Sequence, residues 1–516
     1  MGTVPARTRS LIICALAISV AGGVLSVVMA TPSASRSANV GVSIPGVGTI
    51  VPPAAPAPPR LSWKPCTQDP SLECGSIVVP LDYSEPAGQQ LSVGLLKVSA
   101  RRQSRRIGSL LVNPGGPGAS GVDFAARARR LFGARITDRF DVIGFDPRGT
   151  LRSGQADCLS DLRLDAFLAA DPDPDDAAET AQLIQVSKEM AAGCGANVGN
   201  ERLAHLGTFD AARDMEQIRR ALGEETISMF GFSYGTLLGA TYAELFPSRV
   251  RAFALDGALD AQATSDQRSR EQARGFERVL SAWAAGCAQR KSCPRSLRTS
   301  PLRSVDEVLA SVERAPLKVG ARNLGPGEAM LGIVRALYSK ANGWPRLDSA
   351  LADALAGKGD KLLTLSDDYS NRDQQGRYDG VLESNTAINC IDAGGARSVA
   401  AIQQLATELA VVSPRFGAAI AYGSLPCVYW PVPALSNGWK TRASGSAPIL
   451  VIGTTNDPAT PYVWAQSMAD QLENGVLLTN VGDNHTAYFS GGSCVRNAIE
   501  SYLVNLTVPR PGARCG

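Results

Sequence analysis

The chain has 516 residues, 44% of them hydrophobic and 19% charged, with a formal net charge of +3. That length and apolar content suffice for a large core, as one domain with an insertion or as two domains, and exclude a disordered chain. A charge so close to zero also argues against nucleic acid as a partner, since the one basic run, Arg101 to Arg106, reads as a solvated turn between two strands.

The chain opens with Arg7 and Arg9, an apolar segment from Leu11 to Val28 and small residues near Ala30. This is the layout of a secretory signal peptide over residues 1–30, so the protein is expected to be secreted or held in the cell envelope. Left uncleaved, the same segment would be a membrane anchor, and membrane or cell-wall association through the N-terminus is the alternative. Residues 31–60, with the run IVPPAAPAPPR, read as a Pro/Ala-rich linker. Cys14 lies inside the apolar segment. The other ten of the 11 cysteines are an even set in an exported chain, so disulfides are expected, and no Cys/His cluster suggests a metal. Spacing alone leaves the connectivity open; neighbours pairing in order is the first hypothesis to test.

From Gly75 short β-branched runs alternate with turns: SIVVPLDY, LSVGLLKVSA and IGSLLVN. The third enters Asn113-Pro114-Gly115-Gly116-Pro117-Gly118, whose glycines leave backbone N–H groups free to approach a ligand. A basic helical stretch (Phe124 to Phe132) leads to the apolar run FDVIGF and to Asp146-Pro147-Arg148-Gly149, where Asp146 and Arg148 read as residues that fix a loop. Strand, loop, helix, strand is the order of a parallel α/β sheet. An acidic, alanine-rich insertion between Cys158 and Cys194 reads as a solvated helix pair. Ala211, Met215, Ile218 and Leu222 then recur at helical spacing.

The next stretch, TISMFGFSYGTLLGATYAELFP, runs from Thr226 to Pro247. A β-prone run meets Gly231-Phe232-Ser233-Tyr234-Gly235 and a helix-prone run follows, which is the strand, sharp turn and helix of a nucleophile elbow with Ser233 at its tip. After the buried-strand pattern VRAFALDG, residues 261–443 change to helical runs broken by Gly and Pro, read as an inserted cap. Strand texture returns at APILVIGTTND and GVLLTNVGDNH, before a closing helix. The expected architecture is therefore an α/β-hydrolase fold, a mostly parallel central sheet flanked by helices. Its core is residues 61–260 and 444–516, and a mainly helical cap occupies 261–443.

A serine hydroxyl needs an imidazole to take its proton, and the imidazole needs a carboxylate. The chain has 2 histidines, and in this fold the base follows the nucleophile, which selects His485 over His205. For the acid, Asp457 ends a strand and precedes Pro458; Asp256, at the end of an earlier strand, is the rival. The N–H groups of Tyr234 and of Gly115 or Gly116 would bind the oxyanion. No metal or organic cofactor is required by this chemistry.

The ordered set NPGGPG, DPRG, GFSYGT, NDPATP and NHTAY, with the late Cys494 and Cys515, resembles the secreted tripeptidyl aminopeptidase family of α/β-hydrolases, related to prolyl aminopeptidases. The resemblance runs from about Leu61 to the C-terminus and implies exopeptidase action on peptides or proteins with free N-termini, with Ser233, Asp457 and His485 at the triad positions. One departure is Leu151-Arg152, where relatives tend to carry a further glycine. A substrate ammonium beside the reacting centre would need a carboxylate partner, and the candidates are Asp392, next to Cys390, and Glu383. An esterase or lipase on the same fold and a catalytically inactive surface-binding protein are the alternatives. Oligomeric state is not legible in the sequence.

Overall fold

The structure, a computed structural model, describes residues 58–392, 398–435 and 438–516; the expected signal segment and the linker up to residue 57 lie outside them. The short apolar runs become strands: β1 (Lys64–Pro65), β2 (Glu73–Pro80), β3 (Gln90–Val98), β4 (Gly108–Asn113), β5 (Phe140–Phe145), β6 (Ile227–Phe232) and β7 (Val250–Asp256). A small hairpin, β8 (Leu317–Val319) and β9 (Arg322–Leu324), precedes β10 (Ile449–Thr454), β11 (Gly475–Asn480) and β12 (Arg514–Cys515). All but the hairpin join one sheet of 10 strands in the order β1-β2-β3-β5-β4-β6-β7-β10-β11-β12. The pairs β1/β2, β2/β3 and β3/β5 are antiparallel, and every later pair is parallel.

Every residue of β4, β5, β6 and β10 is buried, as strands covered on both faces must be. The period of two sorts their side chains into two cores. In β6, Ile227 and Met229 join the layer that holds Leu237, Leu238 and Met215; Phe230 and Phe232 join the layer of Phe124, Tyr488 and Tyr502. This is the mostly parallel, helix-flanked sheet of an α/β-hydrolase, and it brings the C-terminal ends of β6, β7 and β10 side by side.

Between β7 and β10 the chain is mainly helical, and Trp283, Val305, Ile333, Leu347 and Phe416 form a core of its own. The helix Pro301–Arg314 shows why: Val305, Val308 and Val312 are buried at spacings of three and four, one apolar stripe on an otherwise polar helix. The acidic insertion forms helices Asp161–Ala169 and Ala177–Asn197, with Cys158 bridged to Cys194. Its Leu183 and Val186 pack with Ala273, Ile402 and Leu409, so this insertion shares a core with the later helices.

The ten cysteines of the described residues pair in sequence order: Cys66–Cys74, Cys158–Cys194, Cys287–Cys293, Cys390–Cys427 and Cys494–Cys515. Asp146 and Arg148 take separate partners. Arg148 is fully buried and binds Asp214 through both ends of its fork, at 2.6 and 2.7 Å, while carbonyls of Pro80, Leu81 and His205 accept its remaining N–H groups. A buried guanidinium is tolerable only when so fully satisfied. Asp146 instead pairs with Arg152 at 3.1 Å and accepts from Ser120. Leu151, where the resemblance leads one to expect a further glycine, has left-handed backbone at φ +30°, and the Arg152 contacts to Asp146 and Asp123 hold the turn. Among the described residues no helix is long and apolar enough to cross a membrane.

Candidate active site

Ser233 stands between β6 and the helix Tyr234–Leu245 with φ +53° and ψ −122°. A non-glycine residue in that region is strained, and here the sharp reversal that causes the strain also turns the side chain away from the sheet. A Cβ on Gly231 would overlap the Gly235 carbonyl oxygen, so strand and helix can close this tightly only with glycine at that position. Ser233 N–H donates to the Asp256 carbonyl at 2.9 Å, fixing the elbow to the end of β7.

Asp457 follows β10, 0% exposed. One of its oxygens accepts the N–H groups of Ala459 (3.0 Å) and Thr460 (2.8 Å), and the other accepts that of Thr486 (3.0 Å). His485 Nδ1 lies 2.9 and 3.1 Å from the two oxygens. Burial alone would lower the imidazole pKa, but the Asp457 charge and hydrogen bond, helped by Asp256, raise it above the ordinary 6.5. With Nδ1 tied to the carboxylate, Nε2 is the nitrogen left for a nucleophile. The imidazole also lies close to the end of β7: a Cβ on Gly257, one residue beyond the carbonyl that holds Ser233, would sit 3.5 Å from His485 Cε1. His485 N–H donates to the Tyr338 carbonyl at 2.9 Å, the two rings meet edge-on at 5.0 Å, and both residues line an open depression of about 480 Å³ with Lys340, Asn484 and Phe489.

Asp256 does not touch His485. It accepts the N–H groups of Ala487 (2.9 Å) and Tyr488 (2.8 Å), and so anchors the chain just past the histidine. Burial, offset in part by those two donors, pushes its carboxyl up to about 7.

On the other side of Ser233 lies the glycine loop. Gly115 has φ +98°, and a Cβ there would fall 2.6 Å from the Phe232 carbonyl, 2.8 Å from Ser233 Cβ and 3.2 Å from Tyr234 N. The loop therefore sits directly against Ser233 and Tyr234. Gly115 N–H is already bound to Asn113 Oδ1 at 2.9 Å. Gly116, exposed beside it, has no acceptor for its N–H among the described residues. Tyr234 opens its helix, so its N–H has no intrahelical acceptor either.

The two carboxylates expected to receive a substrate amine are engaged elsewhere. Asp392, 4% exposed, accepts both the N–H and the hydroxyl of Thr208, whose oxygen lies 2.7 Å from Tyr234 OH. Burial pushes Asp392 up to about 6, against the pull of Thr208 and Arg268. It accepts from the first turn of the helix Thr208–Ala221 and, through Thr208, steadies Tyr234, the residue after Ser233. Glu383, 2% exposed, accepts the N–H groups of Cys158 and Leu159 (2.8 and 2.7 Å), and burial raises it to about 7. His205 lies away from the triad positions, 3.2 Å from Asp210. Neither Thr208 nor Tyr338 is marked by any local pattern; each is brought to the site by tertiary packing.

A family described as TAP-like protein matches residues 413–515. Serine protease Hip1 of Mycobacterium tuberculosis is 36% identical over 478 residues, covering 88% of this chain and 91% of that protein. Carboxylesterase B of Mycobacterium tuberculosis is 38% identical over 491 residues, covering 91% and 92%. Tripeptidyl aminopeptidase of Streptomyces lividans is 28% identical over 468 residues, covering 89% and 87%. With similarity of that extent on an α/β-hydrolase sheet, the chain is a serine hydrolase and belongs to the tripeptidyl aminopeptidase-like family of α/β-hydrolases.

Proposed function

We propose that this protein is an exported serine aminopeptidase that cleaves peptide bonds near free N-termini through an acyl-enzyme on Ser233. The reading is supported by the Asp457–His485 pair at 2.9 Å, together with a strained elbow serine whose N–H is held by the Asp256 carbonyl. His485 Nε2 takes the Ser233 proton as Oγ attacks the carbonyl carbon, and the imidazolium so formed is steadied by Asp457. The oxyanion is received by the N–H groups of Tyr234 and Gly116, with Gly115 holding the loop through Asn113. His485 then protonates the leaving amine, and water releases the acyl group by the same steps in reverse. Helices 261–443 act as a cap that limits which peptides reach the serine, and the N-terminal segment directs export.

A second reading, a secreted esterase, is favoured by the relative named Carboxylesterase B, since a triad serves esters as readily as amides. Mass spectrometry of products from a peptide library with free and blocked N-termini separates the two. Release of short N-terminal fragments from free peptides alone is expected; turnover of esters with no peptide cleaved would favour the esterase.

A further inference from the structure

The helical segment holds a cavity of about 290 Å³ whose wall is mainly apolar, with Phe167, Phe276, Met330, Tyr338, Phe416 and Ile420 among its lining. The stretches that converge on it include the acidic insertion, the long helix Ser265–Gln289, and the helices Pro326–Leu337, Asp360–Ser370 and Gly417–Tyr422. Phe167, Leu331, Val334, Tyr338 and Ile420 are each partly exposed, so the cavity wall meets solvent. Apolar surface left wet costs about 25 cal/mol per Å², and protein interiors normally close such gaps.

The position of this cavity is what gives it meaning. Tyr338 is a wall of the cavity and also of the depression that contains His485, and it touches the histidine through both its carbonyl and its ring. On the helix Ser265–Gln289, Gln272 Nε2 donates to the Ala459 carbonyl at 2.9 Å, and a Cβ on Gly275 would lie 2.6 Å from the Pro458 carbonyl. The next residue, Phe276, faces Tyr338 and Phe416 with ring centroids 6.1 and 5.6 Å apart. The same two elements therefore brace the loops of Asp457 and His485 and line the cavity.

We propose that this cavity is a specificity pocket for a large apolar or aromatic side chain flanking the scissile bond. The inference rests on the peptidase reading above and adds the chemistry of its substrate. No charged side chain lines the pocket, so a charged residue entering it would be desolvated without a partner, whereas a phenylalanine, leucine or methionine would replace water on both surfaces. The polar side chains of the lining include Ser187, Gln272, whose Nε2 is bound to the Ala459 carbonyl, and Tyr338 and Tyr369, whose buried hydroxyls bond each other.

The test is a peptide library, cleaved by the wild-type enzyme and by Ala419→Trp, which fills the pocket from the helix Gly417–Tyr422. Leu331→Lys, at a partly exposed position, is the second variant should the first fail to fold. The readout is the ratio of kcat/KM for Phe against Gly at each position flanking the cut, compared within each enzyme. At one position the wild type is expected to favour Phe at least tenfold, the scale on which a hydrophobic pocket discriminates, and either variant should bring that ratio near one. Peptides cleaved with no apolar preference at any position, or a preference that survives both substitutions, would overturn the pocket and leave the peptidase reading standing. Turnover of p-nitrophenyl acetate with no peptide cleaved would instead overturn the peptidase reading, and this inference with it.

Discussion

Asp457→Asn is expected to lower kcat by about 10⁴-fold, equivalent to about 5 kcal/mol of transition-state stabilisation, while Asp256→Asn leaves kcat of the folded enzyme within a factor of about ten. The hydrogen bonds decide which way the new amide turns. Ala459 and Thr460 N–H both point at one carboxylate oxygen, and Thr486 N–H points at the other. The single amide oxygen will keep the site with two donors, because abandoning it would leave two buried N–H groups unpaired at about 1–3 kcal/mol each. The new NH2 group then faces Thr486 N–H and His485 Nδ1. His485 Nδ1 then lies 2.9 Å from a neutral amide oxygen and 3.1 Å from an NH2 donor: the amide cannot steady the imidazolium, and it favours the tautomer with the proton on Nε2, which cannot take one from Ser233. At Asp256 the amide disturbs the donors of Ala487 and Tyr488 and removes only the smallest support of the raised His485 pKa, so the loss there is chiefly in stability. The assay is kcat and kcat/KM on a small activated ester, with a denaturation curve for each variant. A folded Asp457→Asn within tenfold of wild type, or a larger kcat loss from Asp256→Asn, would refute the assignment.

The raised His485 pKa places the acid limb of kcat/KM above pH 6.5, with activity increasing as pH rises because the neutral imidazole is the active base. The His485–Asp457 pairing contributes stability that is fully present below pH 6.5 and is lost as pH rises through the higher folded value; a pH–rate midpoint at or below 6.5 would contradict this. Thr208→Val removes the hydroxyl shared by Asp392 and Tyr234 and should destabilise the fold by about 1–3 kcal/mol, with a smaller kcat loss than Asp457→Asn; an unchanged denaturation midpoint would argue that the contact is idle. Replacing Cys390 and Cys427 by Ala opens a loop of 37 residues and should cost about 4 kcal/mol on the chain-entropy account, against about 2.5 kcal/mol for the Cys66–Cys74 loop of 8. Equal losses in the two denaturation curves would refute that ranking.

The sheet and the elbow were legible because their signals are local. Ile227 to Phe232 alternates between two buried layers, and the glycines around Ser233 answer to contacts within a few residues of it. His485 could be singled out as the candidate base by elimination, with only 2 histidines in the chain, and the structure sets it against Asp457. Asp457 and Asp256 look alike in sequence, each ending a buried strand, and only the placement of the 485–488 loop separates them: one receives the imidazole, the other the two N–H groups beyond it. The same limit explains Asp392 and Glu383. Carboxylates in helical segments read as available for a ligand, whereas the fold spends them on Thr208 and on the Cys158 and Leu159 N–H groups, partners 184, 225 and 224 residues away. Of Gly115 and Gly116, the side chain of Asn113 claims the first. The role of the acidic insertion as a wall of the helical segment was likewise invisible, since its packing partners Ala273 and Ile402 lie far along the chain.

The most direct test of the account is to react the protein with a fluorophosphonate, digest it and locate the adduct by mass spectrometry. A single adduct on the peptide containing Ser233, absent in Ser233→Ala and strongly slowed in Asp457→Asn, is the predicted result. Labelling that persists in Ser233→Ala, or a folded wild-type protein that does not label, would contradict it.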